Sequence, residues 1–291
     1  MKKKLQRKRL VLTAIFSLLF CLSLQCVWYY ALEGANARFV SPVGEENTLI
    51  RMQRLGTLKG NIDTVFMGSS VTERFLSRGR CATVAISHSP YMTGINQMKR
   101  NIEFPAGTVY VLETTNMLHP TENEITARMN EWDFRLFKNS PIFSIAAKPI
   151  NLVVSSIFHV TNSGKKTDET PLDAPVTEPL NLDGIADMTE TEVEQYKEFI
   201  DGIEELRRMG GVCVFMNYPR VVRAPNFDTN FQIACKIAKH TGVPVLDYHV
   251  PYWDERLHFS DGFHFVSRDP LTVRFMNTVA RDVHACVENL R

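Results

Sequence analysis

The residues that most constrain this chain are Thr64-Val65-Phe66-Met67-Gly68-Ser69-Ser70-Val71. A short β-branched, apolar run ends abruptly in a glycine and two hydroxyl residues. A polar segment of helical character, Thr72–Leu76, follows. Read physically, this is a buried strand whose carboxyl end turns sharply into a helix. Open α/β sheets place their ligands at that edge. A serine there has its hydroxyl outside the core, beside unpaired N–H groups that stabilise an anion or oxyanion. The other reading is a helix N-cap, for which serine is a favoured residue. The stretch by itself leaves both open.

The chain around it alternates in the same way. Strands are expected at Asp63–Met67, Ala82–Ser87 and Thr108–Glu113, the last closing on Thr114-Thr115-Asn116, with helical spacing from Met92 through Ile102. Apolar strands alternating with helices predict a mostly parallel sheet covered on both faces. From Leu118 to Asp187 the alternation stops. Glu122–Leu136 reads as helical, and Thr161–Asp183, rich in Thr, Pro, Asp and Lys, reads as a flexible loop. Between them Pro141–Val160 is strongly apolar but interrupted by Lys148 and Pro149, a poor spanning segment. It fits a cap helix over the site, a surface against a bilayer or a membrane partner, or a helix packed in the core. The alternation resumes with a helix Thr189–Met209 stopped by Gly210-Gly211, a strand Val212–Met216, a helix Thr229–His240, a strand Val243–Leu246 and a closing helix Pro270–Leu290. The expected fold is α/β, a three-layer αβα sandwich over residues 61–291, with an insertion, 118–187, between the third and fourth strands. With 44% hydrophobic residues, a 291-residue chain can bury one substantial core or a core plus a small cap.

The first nine residues hold six basic ones: Lys2, Lys3, Lys4, Arg7, Lys8 and Arg9. Residues 10–32, Leu10 to Leu32, then carry no formal charge, and about 20 such residues span a bilayer as a helix. The basic flank should stay in the cytoplasm and send the rest across, with Trp28, Tyr29 and Tyr30 at the far interface. The expectation is a single-pass signal anchor in the cytoplasmic membrane, with residues 33–60 as a stalk and first helix (Glu46–Leu58) on the extracytoplasmic side. Ala35-Asn36-Ala37 keeps a second possibility open, a signal peptide cleaved after Ala37, although its apolar core would be unusually long. A formal net charge of +1 does not suggest a nucleic-acid surface.

Cys81, Cys213, Cys235 and Cys286 have no C-x-x-C spacing. Cys81 and Cys213 read as small buried hydrophobes in strands, and an oxidising compartment would permit a Cys235–Cys286 disulfide. His119, His159, His240, His249 and His284 show no metal-ligand grouping, so neither a metal nor a cofactor is expected.

Three pieces fall at strand carboxyl ends or before the last helix: Ser70, Asn116, and the pair Asp261 and His264 in Asp261-Gly262-Phe263-His264. In this order the chain resembles the SGNH (GDSL-like) hydrolases and acyltransferases over about Asn61–Asn116 and Gly210–Leu290. Gly68-Ser69-Ser70 is similar to that family's first block, Asn116 to the asparagine of its third, and Asp261 with His264 to its last. The double serine looks most like the membrane-anchored members of lipoteichoic-acid D-alanylation and polysaccharide O-acetylation. The second-block glycine has no counterpart in Val84-Ala85-Ile86-Ser87-His88, and Thr114 stands where block three has glycine.

The resemblance implies an SGNH/flavodoxin-like fold and a serine esterase or O-acyltransferase acting on a cell-envelope glycan. Ser70 would be nucleophile, His264 its base and Asp261 the partner of the imidazole. The Ser70 N–H and the Asn116 amide would form the oxyanion hole, with Ser69, His88 and Thr115 as possible lining. Implied partners are an acyl donor, a glycan acceptor and a multi-pass membrane acyltransferase. Within the site, Ser69 is the alternative nucleophile, and His258, four residues after Asp254, the alternative base. The rival class of function is a non-catalytic carbohydrate-binding or assembly subunit.

Overall fold

The computed structural model describes residues 2–35, 37–55, 62–75, 77, 79–101, 104–132, 134, 143–162, 168–222, 225–266 and 269–289. It divides into two compact units. One comprises Met1–Thr57 and Arg128–Lys165, the other Leu58–Ala127 and Lys166–Arg291. The expected insertion is therefore split: 128–165 folds with the amino-terminal segment and the remainder with the α/β unit.

The amino-terminal unit begins with α1 (Lys2–Gly34) and α2 (Gly44–Arg54). Within α1, Arg9–Gly34 is long and apolar enough to cross a membrane. The second half of the expected helix Glu46–Leu58 falls partly outside the described residues.

The α/β unit supplies β1 (Thr64–Gly68), β2 (Cys81–Ala85), α3 (Tyr91–Asn101) and β3 (Val109–Glu113). The chain then runs through α4 (Glu124–Asn130) into the other unit, which holds a 3-10 turn (Ile145–Ala147) and α5 (Pro149–Asn162). Returning, it forms α6 (Glu190–Gln195), α7 (Lys197–Arg208), β4 (Val212–Asn217), α8 (Pro225–Thr241), β5 (Val245–Asp247), α9 (Pro251–Arg256) and α10 (Pro270–Asn289). Thr189 caps α6 in a reciprocal box with Glu192, which is why a helix starts there after a proline-rich stretch.

Among the described residues the five strands pair in parallel, in the order β2-β1-β3-β4-β5. This is the doubly wound order whose switch point lies between β1 and β3, where ligands bind beyond the strand carboxyl ends. Strand residues alternate between two cores. Phe66, Val111, Val214, Met216 and Leu246 meet Phe275, Met276, Val279 and Val283 of α10. On the opposite face Tyr91 of α3 packs edge-on against Phe215 and Phe199, with ring centroids 5.5 Å apart in each case. Each fully buried side chain of this kind contributes about 1.5–3 kcal/mol.

Two expectations are corrected. Within Thr161–Asp183, expected as a flexible loop, residues 168–180 are fastened to the α/β unit. Leu172 is buried in the α10 core and its N–H donates to Thr278 Oγ1 at 2.8 Å. The Thr177 N–H reaches Asp282 Oδ2, and the Leu180 N–H donates to Val245 O at 2.9 Å, covering the β5 edge. A segment poor in apolar residues can still be ordered when its backbone donors close an exposed sheet edge. Cys235 and Cys286, considered for a disulfide, are both free and buried. Burial pushes the Cys235 thiol up to about 11 and those of Cys81 and Cys213 up to about 12, so these thiols stay protonated and inert.

Candidate active site

The turn after β1 is shaped from beneath by a residue the sequence reading did not single out. Glu113, the last residue of β3, is fully buried, and register places it beside Gly68 (Met67 pairs with Leu112). Its Oε2 accepts from the Ser69 N–H at 2.8 Å, the Thr72 N–H at 3.2 Å and the Thr72 hydroxyl, and its Oε1 accepts from the Ser69 hydroxyl. A side chain at Gly68 would collide with this carboxyl and with Thr72 Oγ1. The glycine is therefore required by close approach. Burial pushes the Glu113 carboxyl up, against the opposing pull of its hydrogen bonds from Ser69 and Thr72. The signal in the sequence was a charged residue ending an otherwise apolar strand, which a core accepts only when its partners are supplied.

This grip accounts for a departure from expectation. The segment after Ser70 is one 3-10 turn, Thr72–Arg74, and not a full helix. Ser69 is buried and its hydroxyl is spent on Glu113, with Thr115 Oγ1 3.3 Å away. Ser70, one residue on, is part-exposed and points elsewhere: its Oγ lies 2.7 Å from His264 Nε2. His264 Nδ1 is 2.6 Å from Asp261 Oδ2. Since a carboxylate only accepts, Nδ1 carries the proton there and Nε2 is left to accept from Ser70.

The loop holding Asp261 and His264 is fixed from several sides. The Asp261 carboxylate also accepts from the His264 N–H at 2.8 Å and the Phe263 N–H at 3.3 Å. Although burial pushes the Asp261 carboxyl up, hydrogen bonds from His264 outweigh it and hold it below the usual range. Gly262 adopts φ +90 and its carbonyl accepts from the Val221 and Val222 N–H groups, so a side chain there would strike Val222. The Ser260 N–H donates to the His264 carbonyl at 2.8 Å, and Phe259 bridges Phe265. Phe265 is fully buried, stacked 5.5 Å from Phe75 at the end of the serine turn. Tyr218, after β4, touches both rings and exchanges a hydrogen bond with Thr72 Oγ1 at 2.7 Å. One aromatic cluster thus ties the serine turn to the histidine loop. Phe263 lies against the imidazole itself, centroids 4.2 Å apart.

The remaining candidates fall out as follows. Asn116 lies in the turn beyond β3, beside the Ser70 turn by register, in the left-handed region at φ 59, which asparagine tolerates best after glycine. Neither its amide nor the Ser70 N–H donates to any group among the described residues. Thr115 touches Ser69 and not the histidine. His88 is exposed in the turn after β2, also left-handed at φ 58, with no contact to Ser70 or His264 among the described residues. The alternative base, His258, gives its Nδ1 to Asp269 at 2.6 Å and is not joined to Ser70. Among the described residues no three His, Cys, Asp or Glu side chains group to hold a metal ion.

Fold and site together define a doubly wound α/β chain with a hydrogen-bonded Ser-His-Asp series at the carboxyl edge of its sheet. No family model and no curated protein matches the chain. Among solved structures, a protein of Bacteroides fragilis NCTC 9343 described as a putative acylhydrolase is 14% identical, with 86% of this chain and 100% of that one covered and a TM-score of 0.39.

Proposed function

We propose that this chain is a membrane-anchored serine O-acyltransferase of SGNH type, working through an acyl-serine on a cell-envelope glycan outside the cytoplasm. The observation that carries the reading is the 2.7 Å contact of Ser70 Oγ with a His264 whose Nδ1 is held by Asp261. Ser70 Oγ attacks the donor's ester carbonyl while His264 Nε2 takes its proton. The imidazolium is stabilised by Asp261, which stays ionised. The Ser70 N–H and the Asn116 amide, both without internal partners among the described residues, receive the negative charge on the carbonyl oxygen. Losing one such donor typically costs about 10²–10³ in rate. Collapse expels the donor's alkoxide, which takes the proton from His264 and leaves the acyl group on Ser70. A sugar hydroxyl then repeats the sequence, giving its proton to His264, and the serine is released; water in its place makes the same site an esterase.

Transfer is favoured over hydrolysis because α1, with its basic flank and charge-free run, would hold the domain beside a membrane-delivered donor. A multi-pass membrane acyltransferase supplying that donor is the partner proposed by resemblance. The test is labelling of the purified full chain with a fluorophosphonate probe. The wild type is expected to label on Ser70, and Ser70→Ala and His264→Ala to lose labelling. An unlabelled wild type, correctly folded, would transfer the chain to the binding-subunit class; labelling retained in Ser70→Ala would move the nucleophile to Ser69.

A further inference from the structure

α5 is inside out for a helix in water. It carries no Asp, Glu, Lys or Arg. Two of its polar side chains face inward: Asn151 and Ser155 are fully buried. The Asn151 amide donates to Ile145 O and Glu46 Oε2, and Ser155 Oγ accepts from the Val40 N–H at 2.9 Å. Its outer face is aliphatic, with Ile150 56%, Val153 39%, Ile157 60% and Val160 70% exposed. Positions 150, 153 and 157 follow helical spacing, so they form one continuous stripe. A water-facing helix places these two kinds of residue the other way round.

The stripe is continuous with the surface of α1. Trp28 Nε1–H donates to Ser156 Oγ at 2.9 Å, and Gln25 Nε2 donates to Ala147 O at 2.6 Å at the entrance to α5. These bonds fix α5 against the last turns of α1, Gln25 to Leu32, a length of about 10 Å at the helical rise. Trp28 and Tyr30 are exposed at the same level, where aromatic rings mark the membrane–water boundary. At 14 residues α5 is far too short to cross a bilayer.

We propose that α5 lies in the outer interfacial layer of the bilayer, with Ile150, Val153 and Ile157 in lipid acyl chains. This rests on the reading of α1 as the anchor. The commitment to lipid rather than a protein partner follows from a face that is wholly aliphatic, uncharged and continuous with a helix surface already apolar on all sides. Helices of this type bury about 5–10 Å into the headgroup and acyl boundary. The chain is then held by a helix that spans and a second that lies on the leaflet, which restrains the extracytoplasmic segment from swinging away.

The test reconstitutes the full chain in vesicles of phosphatidylethanolamine and phosphatidylglycerol whose acyl chains carry a diazirine, illuminates them, and maps lipid adducts by peptide mass spectrometry. Adducts are expected on α1 and on 149–162. The variant I150S/V153S/I157S should lose about tenfold or more of the α5 adducts, the loss expected for removing apolar burial at three positions, while keeping those on α1. Adducts on α1 with none on α5 overturn the proposal and leave the anchor reading standing. Adducts on neither overturn the anchor reading as well. A photoreactive side chain at Ile157 that crosslinks in native membranes to protein and not to lipid assigns the face to a partner and overturns the proposal.

Discussion

Removing Glu113 isolates what the buried carboxyl does for the serine turn. In Glu113→Ala the Ser69 and Thr72 hydroxyls can re-pair, with Thr115 Oγ1 and the Tyr218 hydroxyl. The two backbone N–H groups at Ser69 and Thr72 cannot, and each buried donor left unpaired costs about 1–3 kcal/mol. A total of about 2–6 kcal/mol is a large share of a typical stability of about 5–15 kcal/mol. Glu113→Gln is milder, since its carbonyl can stand at the Oε2 position and serve both N–H groups. The pH dependence gives the sharper test. The folded carboxyl sits above its ordinary value of 4.5 because burial disfavours the charge. Its contribution to stability is therefore fully present below that value and lost as pH rises through the folded one. Thermal unfolding of the full chain in detergent, from about pH 4 to 8, should show the wild type losing ground to Glu113→Gln as pH rises. A wild type that gains on Glu113→Gln over that window would mean that the four donors lower the folded value, and the reasoning from burial would be wrong. An alanine variant as stable and as reactive toward the fluorophosphonate as wild type would refute the structural role altogether.

In the Ser-His-Asp series, Ser70→Ala and His264→Ala should each cost several orders of magnitude in acyl transfer or ester hydrolysis, and the double variant little more than either, because such groups act as a unit. Asp261→Asn should cost less than the loss of the serine; since its carboxyl is held below 3.8, its support is present above that value and fades only as pH falls through the lowered one, so wild-type activity should show no loss of Asp261 support near neutral pH. At Gly262, where φ is +90 and Val222 closes the space, Gly262→Ala should abolish labelling of Ser70 while the α/β core still unfolds cooperatively. Adding Val222→Ala should restore part of it, leaving the backbone cost of about 1–2 kcal/mol; no recovery would place the defect elsewhere.

Most of the sheet was legible because its signal is local. Five short apolar runs separated by helical spacing are enough for parallel strands, and the observed strands lie within a residue or two of the expected ones. The positions of Ser70, Asn116, Asp261 and His264 could be read as strand ends and a loop for the same reason. What stayed hidden depends on partners distant in sequence. Glu113 reads as an ordinary strand end until Ser69 and Thr72, more than forty residues earlier, supply its donors. Phe75, Tyr218 and Phe265 are unremarkable aromatics until the fold stacks them. Residues 168–180 have the composition of a loop, and only the open edge of β5 and a slot for Leu172 make them ordered. For α5, hydropathy alone left core, cap and membrane surface open; the proposal above rests on which side chains turn inward, and that is set by partners distant in sequence.

The adjacent serines show how the fold separates two chemically identical groups. Successive residues of a turn leaving a strand point in different directions. Ser69 is turned under, toward a carboxyl that takes both its N–H and its hydroxyl, and Ser70 is turned out, toward an imidazole. A hydroxyl engaged with a buried carboxyl is turned away from the imidazole, which is why the proposed role falls to Ser70 and not to Ser69. The same carboxyl holds Thr72 on the far side of Ser70. Gripping a turn on both flanks while leaving its centre free limits the positions open to Ser70 Oγ. The stacked Phe75 and Phe265 do the same for the histidine loop. On the proposed reading, the distinction between the two serines thus lies less in Ser70 itself than in what Glu113 takes from its neighbours.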